Sequence, residues 1–196
     1  MRSLQAQSQL VVRAAFFLAG VMPGQPTHSG KDGRKKPDIL VENGASTYGV
    51  EVKRPTAAKN VVPRAMDAAE QLSNAGLKGG IVLDITDTLT ADTPEQTDVQ
   101  VVDAAMQVMD AFFINGVGWK SGYSQVLMIT VIARPILRVI MKTATNGEVQ
   151  NHSTSAGVAL GTAEGTLDTI RARWMRDRLA HGLDKLGFTS SEVDAS

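Results

Sequence analysis

Residues 81–85, Ile-Val-Leu-Asp-Ile, make a nearly unbroken apolar run behind the pair Gly79-Gly80, and this run constrains the fold more than any other stretch. Successive side chains of a strand point to opposite sides of a sheet, so a strand that is apolar at consecutive positions has to be covered on both faces. Patterns that could supply the covers flank it. Residues 61–75 follow Asn60, a candidate N-cap, carry Pro63 in the first turn and stop at Gly76, where a C-cap glycine belongs. Residues 98–113 repeat Val101, Ala105, Val108 and Phe112 at helical spacing, and residues 125–133 read as a further apolar strand. A first helix is expected over 3–20 with Leu10, Ala14 or Ala15, and Leu18 inward. A last one is expected over about 163–186 with Leu167, Ile170, Trp174, Leu183 and Leu186 inward and Gly187 ending it. The order helix, hairpin, helix, strand, helix, strand, helix predicts a layered α/β or α+β domain, a central mixed β-sheet flanked by helices.

The 196 residues suffice for one apolar core, so residues 1–189 are expected to be a single domain and 190–196 a disordered tail. Hydrophobic residues at 43% and charged residues at 20% fit a folded, water-exposed protein better than a disordered or membrane chain. The absence of cysteine excludes a disulfide framework and a thiolate zinc site, and suits a cytoplasmic setting. The apolar stretch 10–22 is broken by Arg13 and is too short to span a bilayer, so a packed helix is expected there rather than a leader or an anchor. Residues 22–36, with Pro23, Gly24, Pro26, Gly30 and Gly33, mark a loop, and 139–149 around Asn146-Gly147 a further hairpin.

Formal net charge is zero, yet the charges are segregated. Residues 31–64 hold eight Lys or Arg (31, 34, 35, 36, 53, 54, 59, 64) against four acids (32, 38, 42, 51), while residues 84–110 hold seven acids and no Lys or Arg. A basic face of this kind suits a phosphate-bearing partner, and solvated surface explains it equally well.

Chemistry concentrates in Pro37-Asp38-Ile39-Leu40-Val41 and Gly49-Val50-Glu51-Val52-Lys53-Arg54-Pro55, two strand-like runs around Asn43-Gly44-Ala45-Ser46. Alternation puts Glu51 and Lys53 on one face and Val50 and Val52 on the other. A turn made of residues 43–46 sets Glu42 opposite Thr47 and Asp38 opposite Glu51; a turn at Asn43-Gly44 shifts the register but leaves Asp38 on the face of Glu51. Two carboxylates in proximity oppose each other's ionisation, and a divalent cation removes the conflict. Magnesium takes hard oxygen ligands and is commonly held by one or two carboxylates. Lys53 beside such an ion would stabilise negative charge or orient an attacking water.

These residues resemble the PD-(D/E)xK nuclease superfamily, whose members share a restriction-endonuclease-like core. The resemblance runs over residues 35–90: Pro37-Asp38, Glu51-x-Lys53, the helix that carries Gln71, and the buried strand 80–86. It implies a Mg²⁺- or Mn²⁺-dependent phosphodiesterase that cuts nucleic acid, DNA in the first place. Asp38, Glu51 and Lys53 inherit the catalytic roles, with Asp38, Glu51 and Val52 as the metal-holding positions and Gln71 and Glu42 in support. Many family members carry another acid on the first helix, whereas residues 1–31 contain no Asp or Glu. Either one ion suffices, or Glu42 supplies the further carboxylate, or the site has lost its chemistry. The implied setting is defence, repair or mobile-element processing, as a homodimer or within a larger complex. A non-catalytic nucleic-acid-binding or assembly module that keeps the same fold is the alternative.

Lys36, Arg54 and Arg64 are the expected contacts to nucleic acid. Arg64 and Gln71 are seven residues apart and share a helix face, with Ala68 between them leaving room for approach. Other features carry less. His28, His152 and His181 lack ligand spacing, and the segment 157–165 is glycine-rich without a phosphate-loop lysine. Arg171, Arg173, Arg176 and Arg178 read as the polar side of an amphipathic helix before they read as a backbone grip. Trp119 and Tyr123 are expected to anchor the core rather than stack on a base.

Overall fold

A computed structural model describes residues 4–24, 36–90, 93–114, 120–134 and 167–188. The hairpin expected over 139–149, Trp119, His28, His152 and the tail 190–196 lie outside the described residues. Helix α1 (Leu4–Leu18) precedes the hairpin β1 (Ile39–Asn43) and β2 (Ser46–Lys53), followed by α2 (Val61–Ala75), β3 (Gly79–Asp84), α3 (Pro94–Phe112), β4 (Val126–Ile132) and α4 (Leu167–Lys185). The sheet order is β1-β2-β3-β4. The pair β1–β2 is antiparallel, and β2–β3 and β3–β4 are parallel. The architecture is thus the expected one, a mixed sheet flanked by helices.

Strands β3 and β4 are buried along their whole length, β3 at all six positions and β4 at all seven. Two separate apolar layers do this. Val61, Ala65, Ala68 and Leu72 of α2 and Val101, Ala105, Val108 and Phe112 of α3 cover Ile81, Leu83, Ile129 and Val131. On the opposite face Val12 and Phe16 of α1 and Ala172, Met175 and Leu179 of α4 cover Val50, Val52, Val82, Leu127 and Ile132. The alternation of Leu83 and Val82 between the two layers is the period of a strand read in three dimensions. Tyr123 stacks obliquely on Phe112, with ring centroids 4.4 Å apart, as a core anchor would.

Several local expectations need correction. Asn60 bounds α2 but its side chain caps nothing, because a 3-10 turn, Ala58–Asn60, runs directly into the helix and Asn60 is itself helical. Gly76 does close α2, in the left-handed conformation with φ of 66°. Leu10 and Leu18 of α1 are exposed, and the buried side is Ser8, Val12, Ala15 and Phe16. In α4, Ile170 and Leu186 are exposed, while Ala172, Met175, Leu179 and Leu183 face inward. Arg176 pairs with Asp177, and Arg178 and Lys185 donate to the carbonyls of Ala19 and Leu18, capping the end of α1. Among the described residues no helix is long and apolar enough to cross a membrane.

Candidate functional site

The hairpin turn is Gly44-Ala45, closed by the pair Asn43–Ser46, so Glu42 stands opposite Thr47 and Ile39 opposite Val50. The register is that of the first anticipated turn, and the ladder ends at the Ile39–Val50 pair, with Asp38 just before it. Lys53 closes β2, where β2 runs parallel to β3, and Leu83 is its neighbour there. The carboxyl ends of parallel strands are where sheets of this kind hold ligands.

On the α2 face the side chains of Glu51, Lys53 and Gln71 meet. Lys53 Nζ lies 2.7 Å from Glu51 Oε2 and donates to Gln71 Oε1 at 2.8 Å. Glu51 is 1% exposed and its Oε1 is buried, whereas the Lys53 side chain keeps 14% of its surface in solvent. An ammonium has three donors, and two of those on Lys53 are accounted for by these acceptors. The sequence brought Gln71 to the site by its place on α2, and the hydrogen bond shows that one turn of that helix overhangs the end of β2.

Asp38 is held differently. Its Oδ2 accepts from the Val52 N–H at 2.9 Å and its Oδ1 from Gln9 Nε2 at 2.8 Å, while Arg13 donates to its main-chain carbonyl at 3.0 Å. The Val52 carbonyl accepts from Gln5 Nε2, and the Arg54 N–H donates to Gln5 Oε1 at 3.0 Å. Strand β1 begins at Ile39, so among the described residues no strand flanks the edge of β2 beyond it, and backbone groups there need other partners. The carboxylate of Asp38 and the amide of Gln5 take the place of the missing ladder. Gln5, Gln9 and Arg13 are four residues apart in succession and therefore lie along one side of α1. That spacing was visible in the sequence and is the signal that would have found them.

A second polar cluster, absent from the sequence reading, lies on the α1 face. Asp84, fully buried at the end of β3, accepts from Ser8 Oγ at 2.6 Å, from the N–H and hydroxyl of Thr86, and from Arg134 at 2.5 Å; Arg54 stands 3.6 Å away. Burial works against the charge of Asp84, but the hydrogen bonds from Ser8 and Thr86 and the Arg134 guanidinium outweigh it and hold the carboxyl below its usual range. Arg54 forms a two-pronged pair with Asp87, both bonds 2.7 Å, which with the charges of Asp84 and Asp87 raises its pKa against the opposing effect of burial. The basic and acidic segments of the sequence meet in this pair. An acid inside the apolar run 81–85 was the available clue.

The remaining expected residues are scattered. Arg54, expected to grip nucleic acid, is 7% exposed and engaged with the two aspartates. Arg64 is exposed on α2 and pairs with Asp67 at 3.2 Å. Lys36 is exposed just before β1. Glu42 is exposed at the turn end of β1, opposite in the strand to the Asp38 end. As a donor set, Asp38, Glu51 and the Val52 carbonyl are all hard oxygens on paired or adjacent residues, which suits magnesium in kind. Among the described residues no three acids or histidines gather into a metal cluster.

The fold and this geometry define an α+β domain with an acid–amine pair at the end of a central strand. No family model matches the chain, and no curated protein does. A solved chain from the CdiA-CT/CdiI toxin and immunity complex of Burkholderia pseudomallei is similar over 68% of this chain and 83% of its own, at 15% identity and a TM-score of 0.37. A likeness that loose carries no argument about activity.

Proposed function

We propose that the chain is a metal-dependent nuclease of the PD-(D/E)xK type, hydrolysing phosphodiester bonds in DNA. The observation that carries the reading is the Lys53 ammonium, held between Glu51 and Gln71 at 2.7 and 2.8 Å at the end of β2 and still partly open to solvent. Its two acceptors fix its direction, and its remaining donor is available to a substrate oxygen on which negative charge develops. Asp38, Glu51 and the Val52 carbonyl would hold Mg²⁺ or Mn²⁺, which when bound would supply charge neutralisation at the phosphate and a more acidic water. Gln71 acts by orienting Lys53. Arg64 and Lys36 are the exposed cations placed to meet a polyanion, whereas Arg54 serves the protein's own acids.

The second reading, a non-catalytic module that keeps the fold, is favoured by the burial of Glu51 and by the use of Asp38 to complete the edge of β2. One assay separates them. Plasmid and single-stranded DNA are incubated with protein and Mg²⁺ or Mn²⁺, beside Asp38→Ala and Lys53→Ala. Cleavage that requires the ion and disappears in both variants supports the nuclease; absence of cleavage by a folded native protein supports the module.

A further inference from the structure

Helix α1 meets the site with amides rather than acids, and the two glutamines do not do the same work. Gln5 is fixed in orientation by two different partners, its Nε2 on the Val52 carbonyl and its Oε1 on the Arg54 N–H, like a residue of a paired strand. Gln9 bonds Asp38 through its Nε2 alone, at 2.8 Å from Oδ1. The other carboxylate oxygen of Asp38 already serves the Val52 N–H. Each oxygen of Asp38 thus carries one hydrogen bond, and only the bond on Oδ1 comes from a side chain that can turn away.

We propose that Gln9 is a positioning residue that competes with a divalent cation for Asp38 Oδ1, so that α1 sets how tightly the site takes its ion. This rests on the metal-dependent reading given above. An amide nitrogen is a donor and cannot ligate a cation, but the same side chain carries a carbonyl oxygen that can. An ion on Oδ1 would displace the bond from Nε2 and turn the amide of Gln9. Without the ion, a hydrogen bond from an uncharged amide covers Oδ1, and the ion would take that oxygen at the cost of this bond.

The test is calorimetric titration of Mn²⁺ into the full chain without nucleic acid, for the native protein, Gln9→Met, Gln9→Glu and Asp38→Asn, with thermal melts to establish folding. Gln9→Met keeps the length and removes the donor, so the ion should bind about fivefold more tightly, the worth of one net side-chain hydrogen bond. Gln9→Glu adds a carboxylate and should tighten binding by about tenfold or more. Asp38→Asn should abolish it. In isotope-labelled native protein, Mg²⁺ should shift the side-chain NH₂ signals of Gln9, assigned from their loss in Gln9→Met.

Affinities unchanged in both Gln9 variants, or immobile Gln9 signals beside Asp38-dependent binding, overturn the competition and leave the metal-dependent reading intact. Failure of the native protein and every variant to bind Mn²⁺ or Mg²⁺ at millimolar concentration overturns both.

Discussion

Among the described residues the sheet buries one carboxylate on each face near the ends of its central strands, and the two are held in contrasting ways. Asp84, on the α1 face, draws partners from α1, the turn after β3 and the residues after β2 and β4, so its charge ties four separate segments together. Glu51, on the α2 face, meets an ammonium only two residues along its own strand, and that ammonium reaches on to α2. A buried acid whose partners come from everywhere can change only by disturbing the fold. One paired with a neighbour that touches solvent can exchange that partner locally. Under the proposed reading, Asp84 serves the architecture and Glu51 with Lys53 the chemistry.

The sharpest way to break that division is Lys53→Ala, which should lower ion-dependent cleavage about 10²- to 10⁴-fold while circular dichroism stays native. Cleavage that survives would remove the distinction between the two faces. Next in size, Asp84→Ala leaves the Arg54 and Arg134 guanidinium groups without their shared acid and should cost about 3–5 kcal/mol in urea unfolding. Glu51→Gln, which keeps a hydrogen-bonding group beside Lys53, should cost about 1–2 kcal/mol. Equal losses would mean that both acids serve the fold alike.

Acid titration sharpens the same comparison. The folded pKa of Asp84 lies below the unfolded one, so its contribution is fully present above the unfolded value of about 3.9 and is lost as pH falls through the lower folded value. Urea midpoints of the native protein should therefore fall steeply below about pH 4, and Asp84→Asn should lack that part of the decline. The smallest effect belongs to Arg64→Ala. Its pair with Asp67 is exposed and solvent-screened, so stability should move by about 0.5 kcal/mol or less. If Arg64 meets phosphate, the same variant should flatten the salt dependence of DNA binding by about one unit of slope.

Much of this was legible in the residue order. The end of α2 follows from Gly76, and the burial of 81–85 and the four inward positions of α3 follow from apolar spacing, because apolar contacts dominate their packing. Helix α1 misled for the opposite reason. Its inward side is polar in the first half, with Gln5, Ser8 and Gln9, and apolar only from Val12 onward, so a search for a leucine stripe selected Leu10 and Leu18 on the wrong side. Arg54 misled similarly, since a cation in a basic segment looks free until an aspartate 33 residues away is folded against it.

By itself the sequence determined the strand parity that sets Glu51 and Lys53 on one face, the hairpin that presents Asp38, and the apolar runs that require helices on both sides of the sheet. These are local properties of an alternating backbone and need no distant contact to be expressed. Only the tertiary structure decided which oxygen each polar group meets: that Asp38 and Gln5 complete the edge of β2, that Gln9 covers Asp38, and that Arg54 turns to Asp84 and Asp87. A buried polar atom takes whatever partner the packing brings within hydrogen-bond reach, and residues far apart in the chain come together only when the layers close.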